Sequence, residues 1–116
     1  MGIQNKVYSL LGIAMKGRHA VSGEFQTQEA VKSGEAKLVL VAEDASENTK
    51  KLFHDKCAFY HVPVYVFGKK EDLGRAIGKD LRSSVAICDM GLAAAMKKQL
   101  ETETEGLTGA WKGEKG

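Results

Sequence analysis

The stretch Lys37–Lys51, KLVLVAEDASENTKK, drives an unbroken apolar run straight into two adjacent carboxylates, Glu43 and Asp44. A continuous β-rich segment such as KLVLVA has the pattern of a strand covered on both faces. Beyond it, Phe53, Cys57 and Tyr60 recur at i, i+4 and i+7, which predicts a long helix from Ala45 to His61. A buried strand feeding a helix predicts an α/β domain. The two acids at the junction are open to three readings: a catalytic pair, a metal site, or the start of that helix.

Upstream, Val7, Leu10, Leu11 and Ala14 fall on one helical face. Gly17 marks the end of that helix, with Lys16 and Arg18 near its negative terminus. A short extended piece, HAVSG, follows, and Gly23 opens a second helix that Gly34 closes. Downstream, the only proline, Pro63, leads into the strand VYVF. The short helix KKEDLGRAIG, the strand SVAIC and the helix GLAAAMKKQLE complete the pattern. Helices alternating with short buried strands predict a three-layer α/β/α sandwich around a sheet of about four strands. That domain spans residues 1–101. Residues 102–116 have no apolar period and four glycines, and they read as a flexible charged tail in which Trp111 stands alone.

Composition narrows the function classes. At 116 residues the chain has the length of one domain. No apolar run approaches the ~20 residues of a membrane span. The amino end lacks the form of a secretory signal, because polar residues interrupt its apolar face. Cys57 and Cys88 have no metal-ligand spacing, so a reduced, cytoplasmic protein is expected. Net charge is only +2, but the segment from Glu101 onward holds four acids and two lysines, leaving 15 basic against 11 acidic groups before it. This mild basic bias is compatible with RNA.

In DASE, Asp44 and Glu47 match a capping box, which accounts for Asp44 without chemistry. Glu43 and Asp89 each follow a strand, and ligands of open α/β sheets gather beyond strand ends. An acidic Mg²⁺ or phosphoryl-transfer pocket is therefore the rival reading, although Asp89 also precedes a helix. GIAMKGR has the glycine spacing of a phosphate loop without its Lys-Ser/Thr ending. His19, His54 and His61 are scattered without a nucleophile beside them, and both cysteines lie on apolar faces. No catalytic set, metal site or cofactor site emerges, so a non-enzymatic protein is expected.

The segment VSGEFQTQEAVKSG offers more. A glycine at a helix start lets the backbone approach a phosphate, and the free N–H groups there favour an anion. Glu24, Phe25 and Gln26 project from that first turn, while GKKE and GKDLRSS supply Lys69, Lys70, Lys79 and Arg82 with Leu81. Phosphate-binding cations beside stacking or apolar groups are what RNA recognition requires. Three solvated loops would look much the same.

The ordered pattern SGE…AVKSGEAKLVLVAEDASENTKK…C…VPVYVFGKKEDLGRAIGK…SVAICDMG closely resembles the ribosomal-protein L-seven-Ae family, and within it the small bacterial YlxQ-type group. The likeness runs from about Tyr8 to Met96. It implies an α/β/α sandwich that binds kink-turn RNA, a sharply bent internal loop with tandem sheared G·A pairs. The expected partners are structured RNA, such as ribosomal RNA, and the ribosome or translation factors. Carried over by position, Gly23 precedes the RNA-reading helix and Lys70 contacts phosphate. Leu81, Arg82 and Ser83 form the variable loop at the flipped-out bases, and Ser46 and Lys50 touch the bulged nucleotides. On this likeness Glu43 and Asp44 are scaffold.

One departure is sharp. The family's guanine-reading motif, Asn-Glu-x-x-Lys, falls on Phe25, Gln26 and Glu29, and none is identical. Gln26 can accept a hydrogen bond from a guanine edge, without a carboxylate's charge. Phe25 can stack but cannot replace the asparagine's hydrogen bonds, and Glu29 places an anion where a cation met RNA. A protein-interaction scaffold that has lost kink-turn recognition is the alternative function.

Overall fold

The computed structural model describes residues 2–104. Its elements alternate as α1 (Gly2–Lys16), β1 (Ala20–Ser22), α2 (Glu24–Ser33), β2 (Leu38–Val41), α3 (Glu47–Tyr60), β3 (Val64–Val66), α4 (Lys70–Ala76), β4 (Ser84–Ile87) and α5 (Met90–Thr104). Every residue of β2 and of β4 is buried, so both faces of the central strands are covered. On one side α1 packs against α4 and α5, and on the other α2 packs against α3. The α/β/α sandwich read from the alternating pattern is the fold.

Strand order is β1-β4-β2-β3. β2 and β3 are parallel, and β4 runs antiparallel to both of its neighbours. In register, Ser22 pairs with Val85, Val41 with Ser84, and Val41 with Val66. The carboxyl ends of β1, β2 and β3 therefore share one edge of the sheet with the amino end of β4. This is the Gly23 edge. The opposite edge carries His19, Lys37, Pro63 and Asp89.

The core explains why these elements form. Val7, Leu11 and Ala14 of α1 are fully buried together with Leu38, Leu40, Phe53, Leu73, Ile87, Met96 and Leu100. Truncating a ring such as Phe53 to alanine costs about 3–5 kcal/mol. Tyr8 of α1 leans on Phe67 with ring centroids 5.2 Å apart, and the Tyr65 hydroxyl donates to Glu101 Oε2 at 2.8 Å. That second bond ties α5 to the edge strand β3.

α1 ends at Lys16, directly before Gly17 as expected, and the left-handed residue that follows is Arg18 (φ 63°). Two local expectations change. α5 runs on through Thr104, past the helix end read at Glu101, and residues 105–116, Trp111 included, lie outside the described chain. The capping box on Asp44 and Glu47 does not form. Ser46 is the N-cap of α3, in an extended conformation, and its Oγ accepts from Thr49 N at 3.1 Å. Asp44 precedes it by two residues and is engaged elsewhere, at α4.

Candidate nucleic-acid interface

Gly23 sets the geometry of the interface. It lies between β1 and α2 with φ 97° and ψ 151°, a backbone region that side chains rarely adopt. Its N–H donates to Ser84 O at 3.1 Å, and its carbonyl accepts the first helical bond from Thr27 N at 3.0 Å. Having no side chain, Gly23 leaves the N–H groups of Glu24, Phe25 and Gln26 without a side-chain cap. Below them the Ser84 hydroxyl donates to Thr27 Oγ1 at 3.3 Å, both residues being fully buried. This bond pins α2 to β4. Phe25 above it is 67% exposed, an unusual position for a phenylalanine.

Three further segments meet at this edge through a chain of hydrogen bonds. Asp44 Oδ1 accepts from Lys70 N, the first N–H of α4, at 2.8 Å. The Lys70 carbonyl accepts from Arg82 N at 3.1 Å. Arg82 then reaches back to β1, donating through Nε to Ser22 Oγ at 3.0 Å and through one terminal nitrogen to Leu81 O at 2.8 Å. Leu81 is left 59% exposed. Residues distant in sequence thus form one strip: Gly23–Gln26, Asp44–Ser46, Lys69–Lys70 and Leu81–Ser83.

The strip does not hold all the sequence candidates equally. Gly23, Glu24, Phe25, Gln26, Ser46, Lys70, Leu81, Arg82 and Ser83 lie on it. Glu29 sits one helical turn further along α2, and its carboxylate pairs with Lys32 at 3.6 Å. Lys50 is the least available cation. Its side chain is only 17% exposed, and its Nζ lies 3.6 Å from Glu47. Lys69 is partly neutralised by Glu43, 3.6 Å away. Two contributors escaped the sequence reading, Ser22 as the anchor for Arg82 and Asp44 as the cap of α4. Both depend on partners 26 or more residues away, and no local pattern marks them.

The acidic-pocket reading is overturned. Because β4 is antiparallel, Asp89 leaves the sheet at the edge opposite Glu43, about 20 Å away at strand rise. Asp89 instead caps α5, its Oδ2 accepting from Leu92 N at 2.8 Å. Among the described residues no group of three or more His, Cys, Asp or Glu is placed to hold a metal ion. Burial pushes the Cys57 thiol up to about 12, far from the thiolate a nucleophile needs, and burial also raises Cys88. No helix among the described residues is long and apolar enough to cross a membrane.

Comparison with known proteins agrees with this fold. Residues 5–97 match the model of the ribosomal protein L7Ae/L30e/S12e/Gadd45 family. The chain is 45% identical to the RNA-binding protein YlxQ of Bacillus subtilis over 86 residues, which is 74% of this chain and 86% of that protein. It is 37% identical to the RNA-binding protein YlxQ of Enterococcus faecium, covering 86% of this chain and 96% of that one. A solved Bacillus halodurans protein of unknown function superposes with a TM-score of 0.80 at 40% identity, covering 83% of this chain and 97% of its own.

Proposed function

The chain belongs to the ribosomal protein L7Ae/L30e/S12e/Gadd45 family, and from that premise we propose that it binds structured RNA of the kink-turn kind through the Gly23 edge, with no enzymatic chemistry of its own. One observation carries the reading. Four segments far apart in sequence converge on a single strip that combines helix N–H groups with no side-chain cap, two cations free of carboxylate partners and two exposed apolar side chains. Nothing in the fold requires Phe25 or Leu81 to be apolar, since neither is buried.

The roles follow from the chemistry. Gly23 lets the sugar-phosphate backbone approach the start of α2, where N–H groups and the helix dipole favour an anion. Lys70 and Arg82 neutralise phosphates and fix register. Phe25 and Leu81 give flat and apolar surfaces to bases turned out of a bent loop. Gln26 accepts from a guanine edge, while Glu24, Ser46, Lys50 and Ser83 border the strip. The setting is the cytoplasmic translation machinery, with ribosomal RNA, the ribosome or a translation factor as partner.

A second reading, a protein-interaction scaffold, is favoured by the identity of Phe25, Gln26 and Glu29, none of which repeats the family's guanine-reading residues. Titration with a kink-turn RNA, and with the same RNA whose sheared G·A pairs are replaced by Watson–Crick pairs, separates the two. Recognition predicts a preference of roughly tenfold or more for the kinked form, the size of one good base-edge contact. Equal affinity for the two RNAs refutes it and leaves the scaffold.

A further inference from the structure

A glycine inside a helix costs stability relative to alanine, yet the short helix α4 carries Gly74 in its interior. Its backbone does not require glycine, because Gly74 is absent from the positive-φ residues. Space does. A Cβ placed on Gly74 would collide with the carbonyl oxygen of Asp80, and it would lie 2.5 Å from the Asp80 carbonyl carbon and 3.2 Å from Lys79 O. All three atoms are backbone, so no side-chain rotation relieves the overlap.

The chain after α4 folds back across this glycine. Ile77 N and Lys79 N both donate to Gly74 O, at 3.1 and 2.8 Å, and Gly78 turns with φ 74° while its N–H donates to Arg75 O. Asp80 therefore rests directly on the helix. Two residues later the loop is fixed again by the Arg82 N bond to Lys70 O and the Arg82 Nε bond to Ser22 Oγ. Leu81 is the one residue between these two anchors, and it is exposed. A shift of the Asp80 backbone passes directly to Leu81, the residue that joins it to the Arg82 anchor.

We propose that Gly74 is a positioning residue for RNA recognition: its missing side chain seats the Asp80 backbone and thereby presets Leu81, Arg82 and Ser83 at the Gly23 edge. The inference rests on the RNA-binding reading of that edge and adds how its variable loop is held. A loop already ordered in the free protein loses less freedom on binding, and discrimination between RNA shapes depends on that order. Non-specific phosphate attraction does not.

The test is Gly74→Ala, measured beside the wild type on a kink-turn RNA and on a plain duplex of equal length and charge. Affinity for the kink-turn is expected to fall by roughly tenfold or more while duplex affinity stays within about threefold, so that the ratio collapses. A folded variant with the wild-type ratio overturns the proposal. If the variant does not fold, one glycine inserted between Gly78 and Lys79 lifts the loop from its seat without changing any residue of α4. That insertion must also collapse the ratio, and a retained ratio overturns the proposal equally. Wild-type protein with no preference for the kink-turn removes the RNA reading and this inference together, an outcome distinct from a preference that Gly74→Ala leaves intact.

Discussion

Replacing Lys70 and Arg82 by alanine together should flatten the salt dependence of RNA binding. None of the ion pairs among the described residues engages either cation, so both charges are available to phosphates. Each phosphate neutralised on a duplex contributes about 0.9 to the slope of log affinity against log salt. Removing both should lower that slope by roughly 1.8. Between about 50 and 200 mM salt the wild type then loses roughly tenfold more affinity than the double variant. Arg82 has a second duty, because its Nε holds Ser22. Arg82→Lys keeps the charge and loses that geometry, so it should weaken binding at every salt concentration with the slope preserved. Fluorescence anisotropy with a labelled kink-turn RNA at five salt concentrations measures all three proteins. An unchanged slope in the double variant refutes the placement of the phosphate contacts.

Other changes separate recognition from scaffold. Glu29→Lys replaces an anion now paired with Lys32 by a donor, and kink-turn binding should strengthen by about 1–3 kcal/mol, more than plain-duplex binding, in the same anisotropy assay; equal gains on both RNAs would show that α2 does not read guanines. Ser46→Ala removes the cap of α3 and should cost about 0.5–2 kcal/mol in urea unfolding. Asp44→Ala leaves the Lys70 N–H, the first of α4, without its acceptor and should lower both stability and RNA affinity, whereas a fall in stability alone would sever Asp44 from the site. Because the folded Cys57 thiol sits near 12 against 9.0 in an open chain, stability should fall as pH rises from about 9, by about 1.4 kcal/mol per pH unit while the unfolded thiol alone is ionised. Cys57→Ala should remove that share of the decline in urea titrations between about pH 8 and pH 11, leaving the losses that the raised Cys88 thiol and, above about pH 10, the raised Tyr65 hydroxyl add.

The layers of the fold were legible because their signals are local. KLVLVA and SVAIC read as covered strands without reference to the rest of the chain, and the spacing of Val7, Leu11 and Ala14 reads as a buried helix face. Strand direction was not legible. Whether β4 runs with or against β2 depends on pairing between segments more than 40 residues apart, and that direction decides whether Glu43 and Asp89 are neighbours. Capping was legible as a category at DASE, but the winner was not, since Asp44 and Ser46 are both good caps and the choice turned on the distant Lys70 N–H. Gly74 shows the same limit. Its sequence context, LGRAIG, marks a glycine in a helix, while the backbone that passes against it is visible only in three dimensions.

The central claim is that RNA occupies the Gly23 edge, and titration of ¹⁵N-labelled protein with kink-turn RNA tests it residue by residue. The account predicts amide shifts concentrated at Gly23–Gln26, Ser46, Lys70 and Leu81–Ser83, with His19, Lys37 and Asp89 at the opposite edge unmoved. Shifts centred on that opposite edge, or none at saturating RNA, would contradict it.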